Sequence, residues 1–120
     1  MAKKKVFLVD DNTTCLMLGK QVLKDDFETF TMPSSAKMFE LLKKIKPDII
    51  LLDIEMPEIS GYEAFEQLKA AGAGAIPVVF VTGNEEGGAA EKSKALGAAG
   101  YVTKPFSPES LREIINAIVA

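Results

Sequence analysis

Short apolar segments alternate with helix-forming segments along the chain, and this alternation limits the possible folds more than any other feature. Strands that are apolar on both faces and separated by helices favour a parallel sheet, because each right-handed crossover lays a helix on one face. We therefore predict an α/β fold of three layers, doubly wound, around a five-stranded parallel sheet. The predicted strands are residues 6–9, a weaker segment 27–31, 49–52, 78–81 and 101–103.

Two of the intervening segments carry a clear helical pattern. Their apolar residues fall at positions i, i+3, i+4 and i+7, the pattern of a core-facing helix side. The last helix also has a start signal, with Ser107 as N-cap, Pro108 at the first helical position and Glu109 in the first turn. Residues 27–31 alternate between apolar and polar types, which suits an edge strand. The two stripes are Met38, Leu41, Leu42, Ile45 and Leu111, Ile114, Ile115, Ile118.

Length and charge narrow the class of protein. We expect one domain over residues 1–120, with any effector on another chain. The net charge is -3 and the basic residues are scattered, so we expect no nucleic-acid partner. No apolar stretch approaches the ~20 residues of a membrane span, and the N-terminus lacks a signal-peptide pattern. We expect no membrane insertion and a cytoplasmic location.

Histidine is absent and cysteine occurs once. The lack of histidine excludes serine–histidine catalysis, histidine metal sites and a phosphohistidine on this chain. Any phosphohistidine must belong to a partner. We interpret Cys15 as a small apolar filler that shares a helix face with Leu18 and Val22, in preference to a reactive thiol.

Polar residues follow four of the predicted strands directly. Asp10 and Asp11 follow the first, Asp53 the third, Thr82 the fourth and Lys104 the fifth. Each has an ordinary explanation as a helix cap, a loop opening, a strand-end residue or an exposed lysine. Because parallel strands all end on the same side, these residues would meet at the carboxyl ends of the strands. Open α/β sheets bind their ligands there.

Three carboxylates against one ammonium leave a charge near -2 at this edge. A hard divalent cation with oxygen ligands would neutralise it, and Mg²⁺ commonly uses one or two carboxylates together with phosphate oxygens. A carboxylate can itself attack phosphorus to form an aspartyl phosphate. The residues therefore predict a metal seat beside a nucleophile.

The motifs "VDDN", "LLDIEMPEISG", "VTG" and "KPF" together closely resemble the receiver domain of two-component response regulators, over essentially the whole chain. The resemblance implies a flavodoxin-like sheet with strand order 2-1-3-4-5. It also implies that Asp53 is the phosphoacceptor and that Asp10, Asp11, Asp53 and the backbone carbonyl of Glu55 hold Mg²⁺.

Other roles are also implied by the resemblance. Thr82 and Lys104 would bond phosphoryl oxygens, and the peptide bond from Lys104 to Pro105 would be cis. Tyr101 would be the switch aromatic residue that acts with Thr82. Glu55 and Asn84 would tune the lifetime of the acyl phosphate, and Gly83 would leave the phosphate approachable.

The implied function is a signalling switch. A histidine kinase or histidine phosphotransfer protein would supply the phosphoryl group, and a downstream protein would read the surface of helix 4, strand 5 and helix 5. Gly87 and Gly88 weaken the start of helix 4. Such a protein is not a conventional enzyme, although it would catalyse its own phosphorylation and dephosphorylation.

Two alternatives share parts of this pattern. A haloacid-dehalogenase-type phosphatase also uses an aspartyl phosphate, but its second motif aspartate is replaced here by Glu55, and 120 residues leave no room for a cap domain. A flavodoxin-like FMN protein has the same architecture. Its first loop should be rich in Ser, Thr and Gly, whereas Asp10 and Asp11 would repel a phosphate unless a metal intervened.

Overall fold

Five strands and five helices alternate along the chain in the computed structural model, which describes residues 3–56, 58–83, 88–104 and 107–119. The strands are β1 Lys5–Val9, β2 Glu28–Met32, β3 Ile49–Asp53, β4 Val78–Thr82 and β5 Gly100–Thr103. The helices are α1 Thr13–Leu23, α2 Ser35–Leu42, α3 Gly61–Ala70, α4 Ala89–Leu96 and α5 Pro108–Val119.

All the strand pairings are parallel and the sheet order is β2-β1-β3-β4-β5, which confirms the predicted fold and strand order. The edge position predicted for the second strand is also confirmed. The strands nevertheless extend further than the apolar runs. Asp53 and Thr82 belong to β3 and β4, because the ladder continues to the bond from the Ile54 N–H to the Val81 carbonyl (3.0 Å).

Two apolar cores cover the two faces of the sheet. Phe7, Ile50 and Phe80 face the side of α2 and α3, whereas Leu8 and Leu51 face the side of α1 and α5. Every residue of β3 and β4 is buried, so alternate side chains of both strands enter opposite cores. This double burial makes the central strands a rigid support for the residues at their ends.

The helices follow the sequence signals with two corrections. Ser107 Oγ accepts a hydrogen bond from the Ser110 N–H (3.1 Å), which confirms the cap of α5. Helix α2 ends at Leu42, so Ile45 lies outside the helix. Its side chain still packs against the core, and its N–H donates a hydrogen bond to the Leu41 carbonyl (2.8 Å). Pro47 disfavours helical geometry at Lys46, the residue before it, so the helix cannot continue through this segment.

The second correction concerns the face of α1. Cys15 and Val22 are partly buried, but the side chain of Leu18 is 52% exposed. The buried stripe instead passes through Gly19 and Leu23, four residues apart, as a helix packed on a sheet requires. The predicted face of Cys15, Leu18 and Val22 is therefore wrong at Leu18.

Two leucines allow a matched test of the core. Leu51→Ala should lower the free energy of unfolding by about 2–5 kcal/mol, because Leu51 is fully buried between β1 and β4. Leu18→Ala should change it by less than about 0.5 kcal/mol, since Leu18 is exposed. Urea unfolding followed by circular dichroism measures both, and equal losses would contradict the assigned burial.

Candidate functional site

The carboxyl ends of four parallel strands bring together most of the polar residues singled out in the sequence. Asp10 follows β1 directly, Asp53 and Thr82 are the last residues of β3 and β4, and Lys104 follows β5. Asp10, Asp53 and Thr82 are buried, although each is polar or charged. Polar groups buried in this way need partners, and the partners define the site.

One ammonium group serves two buried carboxylates. Lys104 Nζ lies 2.8 Å from Asp10 Oδ2 and 3.5 Å from Asp53 Oδ1. The side chains of Asp10 and Asp53 are only 3% and 4% exposed, so water screens these charges weakly. The shorter distance shows that Lys104 contacts Asp10 more closely than Asp53.

Asn12, and not the acid pair, caps the first helix. Its side-chain oxygen accepts a hydrogen bond from the Cys15 N–H (3.2 Å). Asp10 Oδ1 accepts instead from the Asn12 N–H (2.9 Å), which fixes the Asp10 carboxylate beside the strand end. The ordinary explanation of Asp10 and Asp11 as helix caps is therefore wrong. The sequence signal for Asn12 was available, since asparagine is a preferred N-cap residue.

The acid cluster suits a hard cation. One oxygen atom each from Asp10, Asp11 and Asp53 lies within 4.8 Å of the others, and Asp11 is exposed to solvent. Two oxygens on opposite sides of one Mg²⁺ lie about 4.2 Å apart, so small side-chain movements would bring all three into its shell. The donor set contains only oxygen, which also fits Mg²⁺.

The charge imbalance appears in the ionisation of Asp53. Burial, and after it the nearby Asp10 carboxylate, raise the pKa of Asp53 to about 7. Lys104 and the hydrogen bond from the Glu55 N–H to Asp53 Oδ1 (3.3 Å) oppose this shift. The folded surroundings of Asp53 therefore compensate the negative charge of its carboxylate only in part.

Cys15 lies close to the same carboxylates, a position that the sequence did not indicate. Burial raises the pKa of the Cys15 thiol, Lys104 opposes the shift, and the charges of Asp10 and Asp53 add to it. The thiol therefore stays protonated at neutral pH. This agrees with the preference for an unreactive side chain.

The loop after Asp53 depends on a glycine that the sequence reasoning did not single out. A Cβ atom on Gly61 would lie 2.4 Å from the backbone carbonyl oxygen of Asp53. The Gly61 N–H donates to the Ile54 carbonyl (2.8 Å), and Ser60 caps α3 by accepting from the Glu63 N–H (3.2 Å). The loop can thus close tightly against the strand end. The serine three residues before a glutamate was the available signal for this helix start.

The far side of the site belongs to β4 and β5. The Lys104 N–H donates to the Thr82 carbonyl (2.7 Å), which ties the end of β5 to that of β4. Among the described residues, nothing lies within 4 Å of a Cβ built on Gly83, the residue after Thr82. Tyr101 is 41% exposed and in register with Phe80. Asn84, Gly87 and the bond from Lys104 to Pro105 lie outside the described residues.

Comparison with known proteins assigns the family. A model of the response regulator receiver domain matches residues 6–116. The chain belongs to this family. The receiver domain identity agrees with the predicted fold and with the aspartates at the strand ends.

Similar proteins include PilH from Pseudomonas aeruginosa, which is 34% identical over 118 residues, covering 97% of this chain and 98% of that protein. The chemotaxis protein CheY from Halobacterium salinarum is 33% identical over 118 residues, covering 97% of this chain and 97% of that protein. The structure of chemotaxis protein CheY4 from Vibrio cholerae superposes with a TM-score of 0.89 at 26% identity, covering 98% of this receiver domain and 99% of that chain.

Members of the receiver domain family share a general function. Receiver domains are phosphorylation-dependent switches of two-component signalling that interact with histidine kinases or phosphotransfer proteins and with downstream targets. They are signalling modules, not conventional enzymes, and they bind Mg²⁺ at a cluster of aspartates. Within the described part of the chain, the helices are too short or too polar to cross a membrane.

The pKa of Asp53 predicts a stability difference that depends on pH. In metal-free buffer, Asp53→Asn should raise the free energy of unfolding by about 1–3 kcal/mol at pH 8, because the folded protein then no longer holds this ionised carboxylate. The gain should shrink as the pH falls from 7 towards 3.8, since Asp53 takes up its proton in the folded state first.

Urea titrations across this pH range measure the difference between variant and wild type. Asp25→Asn removes an exposed carboxylate and should change the free energy of unfolding by less than about 0.5 kcal/mol throughout. A gain for Asp53→Asn that does not vary with pH would show that ionisation of Asp53 carries no cost.

Proposed function

We propose that Asp53 accepts a phosphoryl group from a phosphohistidine of a histidine kinase or histidine phosphotransfer protein, and that residues 1–120 act as a single receiver domain. The main support is the position of Asp53 at the end of a fully buried strand, 3.5 Å from the Lys104 ammonium and within the acid cluster. The donor histidine lies outside residues 1–120, because these contain none.

In this proposal a carboxylate oxygen of Asp53 attacks phosphorus, and the bond between phosphorus and the donor's imidazole nitrogen breaks. Lys104 and the Thr82 hydroxyl stabilise the phosphoryl oxygens, which carry most of the transferred charge. Lys104 is available for this role because its ammonium already lies between Asp10 and Asp53. Glu55 and Asn84 tune the lifetime of the product.

Asp10, Asp11, Asp53 and the backbone carbonyl of Glu55 would hold Mg²⁺ in this proposal. Bound there, the ion would neutralise charge on the carboxylates and on the phosphoryl oxygens. The buried Asp10, held by the Asn12 N–H, would be a fixed ligand, whereas the exposed Asp11 can adjust. The protein would catalyse its own phosphorylation and dephosphorylation without turnover of an external substrate.

The two alternative functions receive less support. The family match over residues 6–116 favours a receiver over a haloacid-dehalogenase-type phosphatase or an FMN carrier. The acid cluster also disfavours direct binding of a flavin phosphate, because three carboxylates surround the position where an anion would sit.

The output proposal concerns the surface of α4, β5 and α5. Phosphorylation would draw Thr82 towards Asp53, and Tyr101 would rotate inward to fill the space that Thr82 leaves. Tyr101 is 41% exposed, and its register with Phe80 places it on the Thr82 face of the sheet, because Phe80 and Thr82 are two residues apart on β4. A downstream protein would read the changed surface.

Helix α4 has features that favour such a rearrangement. Its N-cap residue is Gly88, which has a φ of 71° and provides no side-chain cap. The Ser93 hydroxyl is buried without a hydrogen-bond partner among the described residues, which costs about 1–3 kcal/mol. Lys92 Nζ lies 4.3 Å from the centre of the Tyr62 ring and links α4 to α3. The missing side-chain cap at Gly88 and the unpaired Ser93 hydroxyl are both unfavourable, and another arrangement of α4 could relieve them.

Intact-mass spectrometry after incubation with acetyl phosphate and Mg²⁺ tests the phosphoacceptor. Wild-type protein should gain one labile phosphoryl group, whereas Asp53→Asn should gain none because the attacking oxygen is missing. Asp25→Asn removes an exposed carboxylate elsewhere and should behave as wild type. An undiminished adduct in Asp53→Asn would remove Asp53 from this role.

Asp11→Asn separates the metal from the nucleophile. This variant keeps Asp53 and should stay folded, but it should bind Mg²⁺ more weakly and form the adduct more slowly, because one ligand charge is lost. Calorimetric titration measures the affinity. Wild-type affinity in the variant would show that Asp11 is not a ligand.

Amide chemical shifts with and without beryllofluoride, a phosphoryl mimic, test the switch. The largest changes should extend from Thr82 through β5 to Lys104. Thr82→Ala should still accept phosphate on Asp53 but should lose most of the changes around Tyr101, because the hydroxyl that moves is absent. Changes confined to the loops near Asp53, or a full response in Thr82→Ala, would contradict the mechanism.

A further inference from the structure

A groove lies at the other end of the sheet, between the C-terminal end of α2 and the connection from α3 to β4. Its volume is ≈ 450 Å³, within the range of about 300–1,000 Å³ typical of binding sites. Its apolar lining includes Phe39 and Leu42 from α2 and Ile76 from the connection. Lys43 and Lys46 also line the groove, and both are exposed to solvent. The groove therefore combines an apolar floor with a basic rim.

The basic rim departs from the charge of the whole protein. Residues 37–46 contain four lysines and one glutamate, a net charge of +3, although the chain as a whole carries -3. The glutamate, Glu40, is engaged by Lys37 at 3.4 Å. In the described residues, no carboxylate pairs with Lys43, Lys44 or Lys46. These ammonium groups are available to an acidic partner.

The groove is remote from the phosphorylation site. Lys46 precedes β3 and Ile76 precedes β4, so the groove lies at the amino ends of the strands, whereas Asp53 lies at a carboxyl end. A strand of five residues spans about 16 Å. Nothing in the groove takes part in the contacts of Lys104 with Asp10 and Asp53, so binding there need not follow phosphorylation.

The surroundings of the groove indicate the form of the occupant. Its walls are helix side chains and a connecting loop, while the sheet edges are β2 and β5. An extended peptide would find no strand edge here to pair with its backbone. A helix satisfies its own backbone hydrogen bonds and can insert apolar residues from one face into such a groove.

We propose that this groove docks an acidic amphipathic helix of a partner protein, with its apolar side chains on the floor and its carboxylates against Lys43 and Lys46, independently of phosphorylation. The charge pattern would steer the encounter and reject basic helices, while the apolar contacts would supply most of the affinity. The groove would hold the partner in both phosphorylation states, and it is separate from the switching surface of α4, β5 and α5.

Selection from a displayed library of single helices with a randomised outer face tests this proposal, with the wild-type protein as target. Enriched helices should carry apolar residues at i, i+3 or i+4 beside Asp or Glu. Their binding should perturb the amide signals of Phe39, Leu42 and Ile76. Their affinity should be the same with and without beryllofluoride.

Matched variants identify the groove as the site. Lys43→Glu with Lys46→Glu should weaken binding by about tenfold or more, because attraction becomes repulsion. Lys20→Glu with Lys24→Glu makes the same charge change at the end of α1 and should leave binding unchanged. Ala75→Leu, which adds bulk at the groove lining, should also weaken binding. Phosphorylation by acetyl phosphate should remain normal in all three and confirms folding.

Several outcomes would overturn the proposal. The first is a failure to enrich any helix. The second is enrichment of helices that perturb amide signals outside the groove, and the third is an affinity that the Lys43 and Lys46 changes leave unaffected. An affinity that depends on beryllofluoride would also contradict it. Binding to vesicles of phosphatidylglycerol and phosphatidylcholine that is lost in the Lys43 and Lys46 variant would assign the surface to an anionic membrane instead.

Discussion

Two buried carboxylates share one ammonium at the carboxyl end of the sheet, and the site depends on this shortage of positive charge. Lys104 contacts Asp10 at 2.8 Å and Asp53 at 3.5 Å, so within the described part of the chain neither carboxylate has a cation of its own. The pKa of Asp53, raised to about 7 chiefly by burial, shows that its charge is costly in the folded state. A bound cation or a transferred phosphoryl group changes this balance directly, which makes the site sensitive to both.

The fold can maintain such a cluster because the strands beneath it are completely buried. All residues of β3 and β4 are buried, and their apolar side chains enter both cores. The free energy of this burial offsets the cost of holding polar groups at the strand ends. The close approach of Gly61 to the Asp53 carbonyl and the Asn12 cap then fix the loops on either side.

The two ends of the sheet have opposite electrostatic character. Asp10, Asp11 and Asp53 gather at the carboxyl ends, whereas Lys43, Lys44 and Lys46 lie near the amino ends. In our proposals the acidic end receives the phosphoryl group and the basic end holds a partner. Physical separation by the length of the strands allows a tether and a switch to operate on one small domain without competing for the same residues.

The sequence alone determined the α/β class, the parallel sheet, the edge position of β2 and the cap at Ser107, because apolar periodicity and capping depend on residues close together in the chain. The polar residues after the strands were also evident, and the family resemblance supplied the strand order and the proposed roles. Only the tertiary structure decided that Lys104 contacts Asp10 more closely than Asp53, that Leu18 faces solvent and that Gly61 closes on Asp53. Those facts depend on atoms brought together from distant parts of the chain or on how a helix rotates against the sheet, and local patterns do not specify either.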